Sequence, residues 1–346
     1  MAGTDYDVII VGAGVAGCAA AMRLPAGARA LLVDRGDPAD GRCCGGLLAP
    51  DAQRALARLG LDLPETVRVQ PAPQRVHVRD LDSGLEQTYR RRYWNVDRAK
   101  LDAWLLEEAR RRADFLPHAR FVGLEREPGR VVVHVARDGK TESLSARLLV
   151  GADGARSAVR RTVFPERPGP RTAIAIQVSL AAGKNLDAHE IFFSSRHTDF
   201  YAWAIPKPGA VLVGSAFGDP HGARRCFEDL LARVRESLAL GGEILARSAR
   251  LLGRPRERAE LFGGAGPVLL AGEAAGLVSP SSGEGISFAL ESGAAAGEAV
   301  GENQPARNYE RVFRRLARRV RRKFLKARVI FSPRCRRVVL RLPWCP

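Results

Sequence analysis

The sequence predicts an α/β fold in which a parallel sheet with flanking helices carries an inserted antiparallel β-sheet and a basic helical tail. Three apolar segments, at residues 6–11, 148–150 and 268–270, each lead into a glycine turn and then into a helix-forming stretch. In residues 201–207 every second side chain is large and apolar, as in a strand with two different faces. Residues 307–346 contain 15 Lys or Arg and one acid. At 346 residues, the chain is long enough for two domains or for one large α/β unit with an inserted layer.

The composition excludes several classes of protein. With 46% apolar and 27% charged residues, the chain is neither collagen-like nor wholly disordered. No apolar run reaches the roughly 18–20 residues of a membrane helix. Asp5 and Asp7 stand where a signal peptide would have basic residues, so we expect a cytoplasmic protein with reduced cysteines. The six cysteines lack zinc-type spacing, and we expect no metal site.

The first element in the chain is a β-branched segment, residues 6–11, that predicts a strand. A turn with the sequence GAGVAG follows, then a helix-forming stretch at residues 18–24 and a second strand at residues 30–33 that ends in Asp34. Strand, glycine turn, helix, strand and acid is the order of elements found in dinucleotide-binding folds. This motif does not distinguish FAD from NAD.

Each residue of this turn has a physical role in such a fold. Gly12 permits the tight turn, Gly14 lets the backbone approach the pyrophosphate, and Gly17 lets the helix pack closely on the strand. The phosphates are expected at the helix N-terminus. Asp34 is expected to accept hydrogen bonds from the adenosine ribose.

Two later segments favour FAD. Residues 148–160 read LLVGADGARSAVR, and residues 268–286 read VLLAGEAAGLVSPSSGEGI. They resemble the paired flavin motifs of the glutathione-reductase-type flavoproteins. More narrowly, they resemble the branch that contains aromatic hydroxylases, flavin-dependent halogenases and geranylgeranyl reductases. The resemblance implies a Rossmann-type FAD-binding domain and covers most of the chain.

The resemblance also implies roles for individual residues. Asp153 would support the pyrophosphate side of the site, and the acid after Gly272 would bind ribityl or ribose hydroxyls. That acid is Glu273 here, where the family usually has Asp, so its carboxylate extends about one C–C bond further. Three residues would turn backbone amides towards the pyrimidine edge of the flavin: Gly283, Gly285 and Ile286.

Residues 94–105 contain a further family-like segment. Asp97 is a plausible N-cap of a helix, and Arg98 resembles the arginine that reaches the flavin diphosphate or ribityl region. The alternative is a surface arginine in a first helical turn. Earlier in the chain, Cys44 and Gly45 match a C-G-G motif of geranylgeranyl reductases. Cys44 is interpreted either as a thiol near the substrate that tunes the flavin or donates a proton, or as a small residue filling space.

The substrate side distinguishes the branches of the family. Residues 201–207, YAWAIPK, resemble the Y-x-W-x-F-P-K segment of geranylgeranyl reductases and, in part, a halogenase segment. Halogenases need a lysine in the N-terminal region, whereas the first lysine here is Lys100. This position of the first lysine argues against a halogenase. Because Tyr201 and Trp203 point the same way from one strand, we predict that they form a flat wall beside the flavin. The alternative is that both are ordinary core residues of the sheet. The remaining residues assigned to the substrate side are Phe192, Phe193, Phe200, Pro206 and Lys207.

The implied function is FAD-dependent reduction of C=C bonds in an apolar isoprenoid substrate. Reduced flavin would deliver hydride from N5, and water, a thiol or a phenol would supply the proton. Lys207 would bind a diphosphate or phospholipid head group, or else remain solvated. A monooxygenase acting on an aromatic or polyketide-like molecule is the alternative function. No second glycine fingerprint is present, so the reductant is expected to be NAD(P)H or a ferredoxin-like protein.

The basic tail carries +14 of the net charge of +17. Four apolar residues recur at helical spacing within it: Phe313, Leu316, Val320 and Phe324. This pattern predicts a helix lying on anionic lipid at the inner surface of the membrane, with residues 307–344 making the contact. A solvated basic face or an acidic partner protein is the alternative, and no nucleic acid is expected.

These motifs predict a discontinuous domain organisation. The FAD-binding domain comprises residues 1–70, 95–165 and 262–300. The substrate domain comprises residues 71–94 and 166–261, and the basic helical tail begins at residue 301.

Overall fold

The computed structural model describes residues 5–36, 43–183 and 186–342. Arg42, next to the C-G-G motif, and the last residues of the predicted lipid contact, 343–344, lie outside the described residues. The strands, in chain order, are β1 (Tyr6–Val11), β2 (Ala30–Val33), β3 (Leu47–Leu48), β4 (Arg75–Asp80), β5 (Leu85–Arg90), β6 (Trp94–Asn95), β7 (Asp114–Leu116), β8 (Arg120–Glu127), β9 (Arg130–Arg137), β10 (Lys140–Gly151), β11 (Thr172–Ala181), β12 (His189–Phe193), β13 (Ala202–Lys207), β14 (Ala210–Phe217), β15 (Ile244–Gly253), β16 (Gly264–Ala265) and β17 (Val268–Leu270). The helices are α1 (Val15–Met22), α2 (Pro50–Arg58), α3 (Arg98–Arg110), α4 (Ala158–Val163), α5 (Ala223–Leu238), α6 (Ile286–Ala299), α7 (Pro305–Phe331) and α8 (Pro333–Val339).

The first sheet contains five parallel strands in the order β17-β10-β1-β2-β7, of which the first four form its centre. Their apolar side chains are buried on both faces, as expected for parallel strands between helices; Val8, Ile9 and Ile10 have no exposed surface. Helices α1 and α6 cross at backbone contact. A Cβ atom on Gly293 or Gly297 would lie 2.1 Å from a carbonyl oxygen of α1. This close contact brings the N-termini of both helices to the same end of the sheet. The predicted α/β fold is confirmed.

The second sheet has seven strands in the order β15-β11-β14-β13-β12-β4-β5. All of them fall within the ranges predicted for the substrate domain. The expectation of an antiparallel sheet holds for every pair except β4 and β12, which run parallel. A hairpin cannot join parallel neighbours. Between β4 and β12 the chain passes through four strands of the first sheet, β7 to β10, and this segment serves as the crossover.

The two faces of the second sheet have different partners. One face packs on α5 through a core that includes Val178, Phe192, Ala204 and Phe227. The other face carries Tyr201, Trp203 and Ile205, which line a cavity between the two sheets. Phe192 was expected in that cavity wall, and the structure corrects this. It lies opposite Ala202 on the α5 side, because side chains along a strand alternate between faces.

The predicted tail is helical, but its apolar stripe faces the protein. Leu316 and Val320 have no exposed surface, Phe313 is buried, and Phe324 packs on the same core of the FAD-binding domain. Tyr309, on the same helix, donates a hydrogen bond to the carbonyl oxygen of Leu270 at the end of β17. The stripe is therefore not available to lie on lipid, and the expected helix on anionic lipid is wrong for this face of α7.

Helix α8 is anchored to the second sheet by a buried ion pair. The guanidinium of Arg336, only 2% exposed, donates to Asp80 Oδ1 at 2.9 Å and to Asp82 Oδ2 at 2.6 Å. It also lies 4.8 Å from the centre of the Phe193 ring. The tail therefore packs against both sheets. Over the described ranges, no helix is both long and apolar enough to cross a bilayer.

Candidate active site

The main cavity lies between the end of the parallel sheet and the open face of the second sheet. Its floor consists of the glycine turns and helix starts of the first sheet, and its roof consists of aromatic and aliphatic side chains of the second. Many of the residues singled out in the sequence line it: Gly14, Cys44, Gly45, Arg98, Tyr201, Trp203, Gly272, Glu273, Gly283, Gly285 and Ile286.

The first glycine turn is built at backbone contact. Gly12 has φ +106°, and a Cβ atom there would lie 2.4 Å from the carbonyl oxygen of Ala152. A Cβ atom on Gly17 would lie 1.8 Å from the carbonyl oxygen of Gly12. The carboxylate of Asp34 accepts hydrogen bonds from the amides of Ala13 (2.6 Å) and Gly36 (3.0 Å). It therefore holds the turn in shape, and its remaining lone pairs can accept from a ribose hydroxyl.

Asp153 stabilises the start of α4 and does not line the cavity. Its carboxylate accepts hydrogen bonds from the hydroxyl of Ser157 (2.5 Å) and from the amides of Ala158 (2.6 Å) and Val159 (3.1 Å). Burial raises the pKa of this carboxyl group above its ordinary value. Asp153 thus acts on the site by fixing the turn that abuts Gly12, and a direct contact with a pyrophosphate remains a proposal.

The second of the two flavin-like motifs turns at Gly272, and the side chain that holds this turn was not predicted from the sequence. Gly272 has φ +60°, and its amide donates to the hydroxyl of Ser292 at 2.9 Å. Ser292 is completely buried in α6 and donates in turn to the carbonyl of Phe288. Sequence reasoning missed Ser292 because a serine within a small-residue helix carries no distinct signal. Glu273 follows at the cavity wall.

Helices α1 and α6 begin at the cavity without a side-chain cap, and so does α2, whose N-cap Ala49 also lines the cavity. The N-caps of α1 and α6 are Gly14 and Gly285, and no described side chain accepts from their first-turn amides. By contrast, Asp97 caps α3 and Ser157 caps α4, each through its own side chain. Uncapped amides and the helix dipole favour a ligand with negative charge or acceptor atoms. A molecule with a diphosphate at one point and an acceptor-rich ring at another fits the pair formed by α1 and α6, and FAD is such a molecule.

The C-G-G turn and Arg98 form one unit. Arg98 donates from Nη1 to the sulfur of Cys44 at 3.2 Å and from Nη2 to both carboxylate oxygens of Asp102, at 2.8 and 3.1 Å. The amide of Gly46 also donates to the same sulfur, at 3.4 Å. Gly45 lies close under β13, since a Cβ atom there would lie 2.6 Å from Ile205 Cδ1 and would require the end of that side chain to shift. Arg98 therefore lines the cavity with only 13% of its side chain exposed, and the alternative of a surface arginine is wrong.

Lys207 occupies neither of its expected positions. Its ammonium group is buried behind the C-G-G turn and donates to Asn95 Oδ1 at 2.6 Å and to the carbonyl oxygen of Val96 at 3.0 Å. Burial lowers its pKa to about 8. The neighbouring Pro206 accepts from Asn95 Nδ2 through its carbonyl oxygen. Neither residue lines the cavity, because both lie where β13 passes under the two-stranded ribbon β3-β6.

The aromatic wall consists of Phe200, Tyr201 and Trp203. The Phe200 and Tyr201 rings stack with centroids 4.4 Å apart, and the Tyr201 hydroxyl donates to the carbonyl oxygen of Ser282 at 2.7 Å. Burial raises the pKa of Tyr201 above its ordinary value. Phe193 was expected in this wall, but it lies further along its strand, beneath Phe331 of the tail.

Three further polar groups at the cavity were not found from the sequence. Gln177 and His189 are buried and line the roof. Glu284 forms a bidentate ion pair with Arg91, whose Nη2 lies 3.0 Å from each carboxylate oxygen. These residues carry no local motif, since strands distant in sequence bring them together. Glu284 lies inside the G-E-G segment, and its charge there was the one available signal.

The fold and the site define a class of protein. It is an FAD-dependent oxidoreductase, which combines a Rossmann-type sheet with uncapped helix N-termini at one cavity and a second sheet as the roof of that cavity. The chain belongs to the FAD binding domain family, whose sequence profile matches residues 5–304. The prediction of an FAD-binding protein is thereby confirmed.

The chain is also similar to individual proteins. Protein CbrA of Escherichia coli O9:H4 (strain HS) is 33% identical, over 97% of this chain and 93% of its own. A geranylgeranyl bacteriochlorophyll reductase-like protein from Thermoplasma acidophilum superposes with a TM-score of 0.82 at 19% identity, covering 94% of this chain and 88% of the other. PqsL of Pseudomonas aeruginosa, solved with 2-aminobenzoylacetate, superposes with a TM-score of 0.74 at 19% identity, covering 94% and 96%. The two structural likenesses show a shared fold.

Proposed function

We propose that this protein is an FAD-dependent reductase of C=C bonds in an apolar, isoprenoid-type substrate. One observation carries the proposal. The aromatic wall of Phe200, Tyr201 and Trp203 lines the same cavity as the uncapped N-termini of α1 and α6 and Cys44. An alkene held against that wall would lie beside the position expected for the flavin ring. The similarity in fold to a geranylgeranyl bacteriochlorophyll reductase-like protein supports the same class of reaction.

Bound FAD would supply the two-electron chemistry, and we expect NAD(P)H or a ferredoxin-like protein to reduce it. The α1 turn around Gly14 would hold the diphosphate, with Asp34 beside the ribose. The α6 start at Gly285 would hold the ring edge. The roof of the cavity then excludes water from the alkene and orients it.

Cys44 is the proton donor that the geometry favours. Its sulfur lines the cavity and accepts from Arg98 and from the amide of Gly46, and neither of these two contacts uses a proton of the thiol. The hydroxyl proton of Tyr201 is instead engaged by the carbonyl oxygen of Ser282. Tyr201 therefore positions the substrate and the loop, and the thiol donates.

A monooxygenase is the second candidate. It is favoured by the buried polar groups Gln177 and His189 in the roof, which suit a substituted aromatic ring, and by the fold shared with PqsL. Anaerobic assay of dithionite-reduced protein with a prenyl substrate separates the two. Alkene reduction supports the reductase, whereas oxygen uptake matched by hydroxylated product under NAD(P)H, without alkene reduction, contradicts it.

We also propose peripheral contact with anionic membranes through the outer face of α7. Exposed cations recur on one side of this helix at Arg311, Arg315, Arg318 and Arg322, and the next residue in the series, Leu325, is 69% exposed. This face is opposite to the apolar stripe that packs on the protein. Its charges suit the surface of an anionic bilayer.

A further inference from the structure

One row of residues crosses the roof of the cavity on five strands. Ile191, Trp203, Gly214, Gln177 and Ser248 are successive cross-strand partners. Because Gly214 has no side chain, the Trp203 indole lies across it. A Cβ atom there would lie 2.5 Å from Trp203 Cζ2 and 2.7 Å from Nε1. The indole therefore extends along the row towards Gln177.

This row contains a donor and an acceptor that the protein leaves unused. Trp203 Nε1 and Gln177 Oε1 are both buried, and neither has a hydrogen-bond partner among the described residues. Both ring nitrogens of His189, which lies two residues before Ile191 on β12, are also buried and unpartnered within that part of the chain. All three residues line the cavity.

Such groups are costly unless a ligand satisfies them. A buried polar atom without a partner costs about 1–3 kcal/mol, and native proteins contain few of them. Here four such atoms, on three residues, occur on one cavity face, in a roof whose other side chains, apart from Arg250, are aromatic or aliphatic. A purely hydrocarbon ligand would leave all of them unpaired.

The charges around the row favour a neutral ligand group. Burial lowers the pKa of His189 to about 3, with the Arg91 cation contributing, so the imidazole is neutral and offers one donor and one acceptor. The nearby cations are already engaged: Glu284 pairs with Arg91 and Asp102 with Arg98. Arg250, also in the wall, is not free.

We propose that Trp203, Gln177 and His189 form a subsite for a neutral hydroxyl group of the substrate, an alcohol or a phenol. The hydroxyl oxygen accepts from Trp203 Nε1, and its proton is donated to Gln177 Oε1. His189 provides the second donor or acceptor for the same group. The inference deepens the proposed function, because it assumes that the substrate occupies this cavity, and it replaces the diphosphate that Lys207 was expected to bind.

Binding to the oxidised FAD-loaded protein tests the subsite without turnover. The dissociation constants of matched probes are measured from the change in flavin absorption: farnesol, farnesene and farnesyl diphosphate, and 2-naphthol with naphthalene. We expect at least one alcohol to bind about tenfold or more tightly than its hydrocarbon, and farnesyl diphosphate to bind no better than farnesol.

Three variants assign the preference to residues. Gln177→Leu and Trp203→Phe are each expected to reduce the ratio between hydrocarbon and alcohol dissociation constants about fivefold to tenfold. Gln177→Leu should also unfold at a higher temperature without probe, since it removes an unsatisfied amide. Ser215→Ala is the matched control. This buried serine on β14 donates to the carbonyl oxygen of Tyr201, and its substitution should leave the ratio unchanged.

Any of three results would overturn the subsite. Alcohols and hydrocarbons bind equally, neither alcohol binds, or the ratio of dissociation constants is unchanged in both Gln177→Leu and Trp203→Phe. The outcome is separable from that of the proposed function. A hydroxyl preference without any alkene reduction contradicts the reductase alone, and alkene reduction without a hydroxyl preference contradicts the subsite alone.

Discussion

Arg98 donates a hydrogen bond to the sulfur of Cys44, 3.2 Å away and 54 residues earlier in the chain. The same guanidinium holds both oxygens of Asp102, which is 2% exposed. One arginine thus fixes the C-G-G turn to α3 at the wall of the cavity. Since α3 is in turn capped by Asp97, the cysteine is positioned by the regular structure of the first domain.

Loss of this arginine should destabilise the protein strongly. Arg98→Met removes the arginine that pairs with the buried carboxylate of Asp102, and we expect the free energy of unfolding to fall by about 3–5 kcal/mol. Arg98→Met combined with Asp102→Leu removes both charges and should recover most of that loss. Urea unfolding measures both. If the double variant is as unstable as the single one, the ion pair is not the cause.

Close packing at Gly17 should be needed for FAD binding. In Gly17→Ala the new methyl group would meet the carbonyl oxygen of Gly12, so the turn must shift and the flavin-to-protein ratio after purification should fall at least about tenfold. Gly169→Ala is the control, because a Cβ atom at Gly169 meets nothing within 4 Å. A full complement of FAD in Gly17→Ala would contradict the interpretation of the turn.

Lys207 should make stability depend on pH in the alkaline range. Its pKa is about 8 in the folded protein and about 10.4 when unfolded, so the unfolded state binds more protons between these values. The contribution of Lys207 to stability therefore rises with pH across this window, by up to about 3 kcal/mol. The measurement is the unfolding free energy of the wild type relative to Lys207→Met from pH 7 to 10.5. A difference that stays constant over this range would refute the shifted pKa.

The inner stripe of α7 should contribute to the core. Leu316 has no exposed surface, and Leu316→Ala should lower the free energy of unfolding by about 2–5 kcal/mol. Leu325, on the same helix but 69% exposed, serves as the control, and Leu325→Ala should change stability by less than about 0.5 kcal/mol. For the same reason, truncation after residue 306 should prevent stable folding. Equal effects of the two substitutions would contradict this orientation of the helix.

The outer face of α7 is the surface to test for lipid contact. Replacement of Arg315, Arg318 and Arg322 by Glu should weaken co-sedimentation with phosphatidylglycerol vesicles at least about tenfold. The control reverses three exposed cations of α5, namely Arg224, Arg225 and Arg233. Equal loss with both triple variants indicates a general charge effect, and no loss with the α7 variant contradicts the proposed surface.

Much of the FAD-binding half could be predicted from the sequence because its signals are local. Strand, glycine turn and helix occur within about twenty residues, so Gly12 and Gly17 reveal a backbone that has no room for side chains. The side-chain partners were less accessible. Asp34 and Asp153 were assigned to the cofactor, and in the structure their carboxylates also accept from backbone amides, Asp34 from Ala13 in the first glycine turn and Asp153 from Ala158 at the start of α4. Sequence spacing identifies an acid near a turn but does not specify the direction of its side chain.

The sequence by itself determined the class of fold, the cofactor family and the aromatic face of β13, because each depends on order and period within a short segment. The tertiary structure alone decided that the stripe of α7 covers the core, that Lys207 is buried, and that Gln177 and His189 join Trp203 above Gly214. These relations depend on which strands become neighbours and which face each helix turns inward. Both are set by long-range packing that leaves no periodic trace along the chain.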